Sequence, residues 1–461
     1  MNNLGKHLSS LALNASVYSV IAGLVVSGVS FVIMVHLSRV AGVDQVGLVT
    51  FVMSIAAFLK LFDFFGASHS ARYLAKFKNP HAHKHRVLMA GLVANNFVYG
   101  VFGLLLLAGL EYALQNPLNN GFNSLFELQS SALNLKIAVL VILFNSIQAC
   151  NSGILDGTGD TNVRLLITII ISLACLLFYF LLIEKPSSTS VLVFFAGHSF
   201  SVSFFQGAYI FWSTKAKRHS LLSVLNTVKE MRNYGLKVHF STLSTVSFDP
   251  IFKTVLATFV GIETLGVYEL ATKSIAFIKS GFLNALQPIV PMYVREYCRP
   301  KNRTDNLDKS LLVTLIAATI AIGLLIIFSP LLSIVFIGTV HFQFILLSVG
   351  SGLSSWINIL SSPLYLYMQT NGHVVWNNLT QVMTAALAFL FLLSAGATFL
   401  APEFSLFIAV SCASVLNFIL NYWLAKKLGL EMFSSLESSA LLFLMIPVVL
   451  TFSLFAAYVQ L

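Results

Sequence analysis

The stretch "SLLVTLIAATIAIGLLIIFSPLLSIV" (residues 310–335) holds no Asp, Glu, Lys or Arg, and the charge-free interval around it runs from Lys309 to Glu403. A membrane-crossing helix needs about 20 apolar residues, so this one interval must contain several crossings. A second such interval lies between Lys6 and Arg39. Across all 461 residues, 57% are hydrophobic and 10% are charged, where a soluble domain devotes about a quarter to charge. A transmembrane barrel would instead alternate polar and apolar residues in segments of about ten. The sequence therefore reads as an all-α polytopic membrane protein.

Working outward from that stretch, apolar helices are predicted at 11–36, 46–70, 87–112, 133–155, 163–183, 190–213, 238–260, 266–292, 310–334, 342–368, 374–397, 403–424 and 438–459. The first is too long for the apolar core of a cleavable signal and lacks a small-residue cleavage site, so it reads as a crossing. Cys150, Cys175, Cys298 and Cys412 have no paired spacing, which argues against a disulfide framework and against a metal site.

The net charge of +10 comes from alternate loops. One side of the membrane collects Lys6, "RYLAKFKNPHAHKHR" (72–86), Arg164, the segment 214–237, "REYCRPKNRTDNLDK" (295–309) and Lys426–Lys427, together twenty of the 27 Lys and Arg. The other side holds Arg39, Lys136 and Lys185 with six acidic residues. This asymmetry predicts a cytoplasmic N-terminus and cytoplasmic basic loops. It also accounts for the basicity without a nucleic-acid partner.

Two stretches recur. "GVDQVGLV" (42–49) is echoed by "GIETLGVY" (261–268), 219 positions later. "ILDGTGDTNVR" (154–164) is echoed by "YMQTNGHVVWN" (367–377), where Gly159 and Gly372 are 213 apart. Each echo falls at the equivalent turn of a six-helix half. The expected organisation is an N-terminal lobe at 1–213, a cytoplasmic linker at 214–237, a C-terminal lobe at 238–424 and an extra transmembrane segment at 425–461. Parallel repeats of this kind place substrate at the repeat interface and work by rocking.

Charges inside predicted helices cost about 2.5–3.5 kcal/mol each at the membrane centre, so they should face protein or water. They are Lys60, Lys253, Lys273 and Lys279, with Asp63, Asp249 and Glu269. Lys60–Asp63 is an i,i+3 pair; Asp249–Lys253 and Glu269–Lys273 are i,i+4 pairs on one helix face. Self-neutralisation within the helix and contact with an anionic substrate are both open for these lysines. Lys279 has no acid within four residues and is the strongest candidate for an anion contact. Arg39 joins Lys279, Lys253 and Lys60 as a candidate cation. Asp249, Asp63 and Glu269 are candidates for ion coupling, and Pro250 is expected to break the helix beside Asp249. Polar groups such as Asn145, Gln206 and His198 are candidates to line a cavity. "HAHKHR" (81–86) reads as a solvated face toward anionic headgroups, and "DGTGD" (156–160) as a tight turn. There is no nucleophile–base constellation, metal motif or cofactor signature, so no enzyme is expected.

"SRVAGVDQVGLVTFVMSIAAFLKLFDFFGASHSARYLA" (38–75), with Asp63, Gly66 and Arg72-Tyr73-Leu74-Ala75, resembles the start of the polysaccharide flippases of the multidrug/oligosaccharidyl-lipid/polysaccharide exporter superfamily. "DPIFKTVLATFVGIETLGVYELA" (249–271) resembles their seventh helix. The resemblance implies a two-lobed bundle with a central cavity in a bacterial inner membrane. It also implies flipping of undecaprenyl-diphosphate-linked oligosaccharides for O-antigen or capsule synthesis. Implied partners are that lipid-linked glycan, membrane lipids, and the polymerase and chain-length machinery of polysaccharide assembly. The alternatives are a cation-coupled drug exporter or a cell-wall precursor flippase of the same fold. A membrane glycosyltransferase or ligase is disfavoured, because the external loop at 113–132 carries only Glu127.

Overall fold

The computed structural model of the chain describes residues 2–62, 79–115, 131–213, 220–286 and 305–370, with single positions between 70 and 77 and between 383 and 423. Every regular element among the described residues is helical. In chain order they are α1 (Asn2–Ala41), α2 (Val43–Ala57), α3 (Lys84–Gln115), α4 (Ser131–Gly157), α5 (Thr161–Leu182), α6 (Ser188–Ser213), α7 (Leu221–Phe259), α8 (Ile262–Leu286), α9 (Asp305–Ile327), α10 (Ser329–Ile337) and α11 (Phe342–Thr370). Short 3-10 turns follow α2 (Phe58–Phe62) and precede α3 (Pro80–His83).

Eight described helices are long and apolar enough to cross a membrane. Two further helices, α7 and α8, match predicted crossings in position but carry the intramembrane charges. The predicted helices 374–397 and 403–424 lie outside the described residues except for single positions, and 438–459 and Asp63 lie wholly outside them.

The repeated motif has a shared backbone geometry. Gly42 starts α2 with φ 100° and Gly261 starts α8 with φ 108°, the left-handed region that glycine enters without steric cost. These turns also mark where the chain changes partners. Contacts group residues 1–39 with 266–461 into one compact unit and 40–265 into a second. The first helices of the two sequence halves, α1 and α7, thus each belong to the unit dominated by the other half.

In the unit of residues 40–265, α4 is the central element, packing on α2, α3, α5 and α6, while α7 lies on α2 and α3. Gly47 makes one approach possible: a Cβ there would sit 1.9 Å from the carbonyl oxygen of Ile262. In the other unit, α9 and α10 pack on α11. Leu24 on α1 lies near Gly281 on α8, and Phe277 on α8 lies near Gly28 on α1. Small residues at such points let helices approach closely in a bilayer.

Three local expectations change. The predicted helix 310–334 is two helices, interrupted at Phe328. Pro330 has no N–H to offer the carbonyl of Ile326, and the Ser329 hydroxyl donates to that oxygen instead at 2.7 Å. Pro250, expected to break its helix, lies inside an uninterrupted α7, as membrane helices tolerate when the freed carbonyl is satisfied elsewhere. The segment 214–237 is helical from Leu221 onward and continuous with α7, begun by a Ser220 cap that accepts from the Ser223 N–H at 3.3 Å.

Candidate functional site

The charged side chains of the membrane helices fall in both units. In the unit of residues 1–39 and 266–461, Lys273 forms an ion pair with Glu269 at 3.4 Å. The same ammonium donates to Ser30 Oγ of α1 at 2.9 Å. Lys273 is therefore tied to its own helix and to a neighbour, and Glu269 is 7% exposed beneath it. Lys279, six positions further along α8, is half-buried. Among the described residues it makes no hydrogen bond and no ion pair.

Arg39 has a defined local role. Its Nη1 donates to the carbonyl of Ile334 at 3.1 Å, in the last turn of α10, which Gly338 closes with φ 103°. That carbonyl also accepts the Gly338 N–H at 3.0 Å, so the guanidinium adds a second donor there and meets the negative end of the helix dipole.

In the unit of residues 40–265, Lys253 pairs with Asp249 at 3.0 Å, the lysine 15% and the aspartate 65% exposed. The i,i+4 spacing read from the sequence is thus realised as a contact. Lys60 is exposed on the 3-10 turn that ends α2, and that turn packs against α7. Thr254 donates to the carbonyl of Pro250 at 2.8 Å.

The polar groups expected to line a cavity are used differently. Asn145 accepts from the Ser199 hydroxyl at 2.8 Å. Gln206 accepts from Ser152 at 3.2 Å and donates to Thr168 at 3.3 Å. Asn134 donates to Ser188 at 3.2 Å and accepts from Thr189 at 2.7 Å. His198 bonds Ser172 at 2.9 Å. Asn134, Asn145 and Ser152 share one face of α4, and their partners Ser188, Ser199 and Gln206 share one face of α6. Each of these three pairs is 54 residues apart, because α4 and α6 run parallel. This seam holds helices together; interhelical bonds in bilayers contribute about 0.6 kcal/mol each on average. The matched spacing of eleven and seven in both segments was visible in the sequence.

A second polar cluster lies at the basic end of the same unit. Lys84, inside "HAHKHR", is 1% exposed and paired with Asp160 of "DGTGD". Its ammonium also lies 3.5 Å from Ser213 Oγ and over the Tyr209 ring. Asp160 accepts from Thr158 at 3.2 Å, and Asp156 pairs with Arg164 at 2.8 Å. One lysine of a stretch that reads as a solvated surface is therefore a buried tie between α3, α6 and the α4–α5 turn. Tyr73 of the Arg-Tyr-Leu-Ala motif is 2% exposed and donates to Glu230 on α7 at 2.8 Å. Around it Leu74, Val87, Leu88, Val224 and Met231 form one buried cluster.

The family model that matches this chain is described as polysaccharide biosynthesis protein and covers residues 12–295. The chain belongs to the polysaccharide biosynthesis protein family. No curated protein matches this member in sequence. Solved structures match its fold over nearly its whole length. One is an inward-facing multidrug resistance MATE family transporter of the MOP superfamily, at 13% identity and TM-score 0.59, covering 90% of this chain and 95% of that one. A second is the MATE multidrug transporter DinF-BH, at 18% identity and TM-score 0.59, covering 91% and 95%. A third is a MOP superfamily transporter from Pyrococcus furiosus, at 14% identity and TM-score 0.58, covering 90% and 96%; the reverse polarity of its binding pocket is reported to suggest a different function. This polysaccharide biosynthesis protein is an all-helical membrane protein with a fold shared by MATE transporters.

Proposed function

We propose that the protein flips undecaprenyl-diphosphate-linked oligosaccharide repeat units from the cytoplasmic to the periplasmic leaflet, by alternating access of two six-helix halves. The product would supply surface polysaccharide, O-antigen or capsule, in a bacterial inner membrane with the N-terminus cytoplasmic. Polymerase and chain-length components would act downstream. Family membership supports the substrate class. The observation that carries the reading is Lys279, a half-buried ammonium on a membrane helix with no acid or hydrogen-bond partner among the described residues. An unneutralised cation at such depth is costly unless an anion meets it, and a lipid diphosphate is such an anion. Lysine serves it as a point charge.

Lys253 and Lys60 are proposed as further diphosphate contacts, with Lys253 exchanging Asp249 for phosphate. Arg39 is proposed to contact substrate only secondarily, given its bond to Ile334. Asp249, Asp63 and Glu269 are the proposed ion-coupling groups. Coupling is not demanded by energetics, since an inside-negative potential favours outward movement of an anion by about 2.3 kcal/mol per charge per 100 mV. A cation-coupled drug exporter of the same fold is the second reading. The paired acids at 249 and 269 favour it, and the lone Lys279 opposes it.

The test is complementation of a strain lacking its own flippase, at matched membrane levels of wild type, Lys279→Ala, Lys253→Ala and Lys60→Ala. Restored polymer in wild type, lost with Lys279→Ala, supports flipping through an anion contact. Resistance to cationic dyes without polymer in any background transfers the protein to the exporter branch.

A further inference from the structure

Between Gly28 and Arg39, α1 is bound to helices of the other sequence half. Phe277 on α8 lies 3.7 Å from where a Cβ on Gly28 would sit, and Lys273 donates to Ser30 at 2.9 Å. The Phe31 and Phe336 rings meet edge to face with centroids 4.9 Å apart, and Arg39 donates to Ile334 at 3.1 Å. That stretch of helix rises about 16 Å, roughly half of the hydrocarbon core. α7 is bound in the opposite sense. Its Val224 and Met231 share a buried cluster with Tyr73, Leu74, Val87 and Leu88, and its Glu230 accepts from Tyr73 at 2.8 Å. Further along, Phe252, Leu256 and Ala257 are buried. The elements α7 packs on, α2, α3 and the 3-10 turn Phe58–Phe62, all belong to the first sequence half.

The chain passes between the two units twice, at 39–40 and at 265–266. Each passage lies beside a repeated glycine of positive φ, Gly42 at 100° and Gly261 at 108°. The passages are neighbours, because Gly47, just after the first, approaches the carbonyl of Ile262, just before the second. Connections that lie side by side can turn together; widely spaced ones are sheared by any rotation not about the line joining them. Hinges are a few element-terminal residues that absorb changes in φ and ψ, and glycine has the widest range of both.

We infer that the bodies that move in transport are these two units and not the two sequence halves: α1 travels with α8–α11, α7 travels with α2–α6, and the chain bends at Gly42 and Gly261. The inference rests on the alternating-access reading and assigns the helices that move together in it. The bonds Lys273–Ser30, Arg39–Ile334 and Tyr73–Glu230 each lie inside one body and persist through the cycle. Arg39 is thereby a brace of its unit.

The test reads distances between paired spin labels in the full chain, in lipid nanodiscs, with its four cysteines replaced by alanine. Labels attach to Ile21→Cys on α1, Leu177→Cys on α5, Ile251→Cys on α7 and Ile320→Cys on α9, all exposed positions. Each pair is measured without addition, with undecaprenyl diphosphate and with a cationic dye, the probes of the two transport readings. The pairs Ile21–Ile320 and Leu177–Ile251, each within one unit, should keep one distance throughout. The pairs Ile21–Leu177 and Ile251–Ile320, each within one sequence half, should shift by about 5 Å, as a rotation of about 15° gives at about 20 Å from a hinge. Gly261→Ala adds a methyl that meets nothing within 4 Å, so it acts through φ alone and should abolish both shifts. Shifts in the within-unit pairs with constant within-half pairs overturn the inference; Lys273–Ser30 and Arg39–Ile334 would then be gate contacts that break. Constancy of all four pairs under every condition overturns it too, and wild-type shifts in Gly261→Ala overturn the hinge assignment. Absence of polymer from wild type in complementation would remove the flipping reading and leave the distance pattern standing.

Discussion

Lys84 and Asp160, 76 residues apart in sequence, form an ion pair in which the lysine is 1% and the aspartate 22% exposed. The burial is one-sided, and this sets the order of two mutations. Asp160→Ala strands a buried ammonium, and removing one partner of a buried pair costs about 3–5 kcal/mol. Lys84→Met removes the buried charge and keeps the stem's volume, while Asp160 retains Thr158 and access to water. Thermal unfolding in detergent should rank Asp160→Ala well below Lys84→Met. The reverse order would mean that the aspartate, not the lysine, carries the burial penalty.

Tyr73 links a family motif to the start of α7. Burial first, and then its hydrogen bond to Glu230, raise the phenol above its ordinary value of 10.0. A raised acid pKa favours the protonated form in the folded state. Its stabilising contribution is complete below pH 10 and is lost as pH rises from 10 through the folded value. Tyr73→Phe should cost about 1 kcal/mol near neutrality, the typical net worth of one hydrogen bond. The gap to wild type should then narrow on the alkaline side. Melting curves at pH 8 and above pH 10 check both statements; a gap that widens with pH would reverse the sign.

These two ties mark what sequence alone could and could not reveal. Helix positions were legible because charge-free intervals are dictated by the bilayer, so α1, α4, α5 and α6 fall within a few residues of expectation apart from the extended start of α1. The i,i+4 pairs were legible because helical spacing makes neighbours of Asp249 and Lys253, and of Glu269 and Lys273. Long-range partners were not. Nothing local to "HAHKHR" separates buried Lys84 from its exposed neighbour His81, since the difference lies in Asp160, in a turn 76 residues away. Pro250 misled because a proline's missing hydrogen bond is a local cost that the rest of a 39-residue helix absorbs. Pro330 did interrupt its helix, where Ser329 was placed to take the freed carbonyl.

Lys273 and Lys279 lie on one helix with different surroundings, and their variants should separate accordingly. Lys273→Gln loses the Glu269 pair and the bond to Ser30, leaving a carboxylate that is 7% exposed. It should lower the melting temperature and the membrane level. Lys279→Gln removes no hydrogen bond or ion pair among the described residues and should leave both unchanged or improved, while polymer production falls. Quantitative blotting alongside polymer yield checks this. A stability loss at Lys279 equal to that at Lys273 would make Lys279 a structural residue.

Gly47 gives the sharpest steric prediction. A methyl group there would fall 1.9 Å from the Ile262 carbonyl oxygen and 2.8 Å from its carbon. Both obstacles are backbone at the start of α8, so no rotamer change relieves them. Overpacking a tight core costs about 1–3 kcal/mol even where side chains can shift, so Gly47→Ala should exceed that range and reduce accumulation in the membrane. Gly100 on α3 is the control, since nothing lies within 4 Å of its added methyl. Gly100→Ala should be neutral or stabilising by about 0.5–1 kcal/mol through helix propensity. Membrane abundance and melting temperature of the two variants, compared side by side, decide the matter. If Gly47→Ala accumulates like wild type, α2 and the start of α8 are not in this contact. The repeated glycine pair would then serve its turn alone, through the positive φ at Gly42 and Gly261, and not the approach of the helices that follow it.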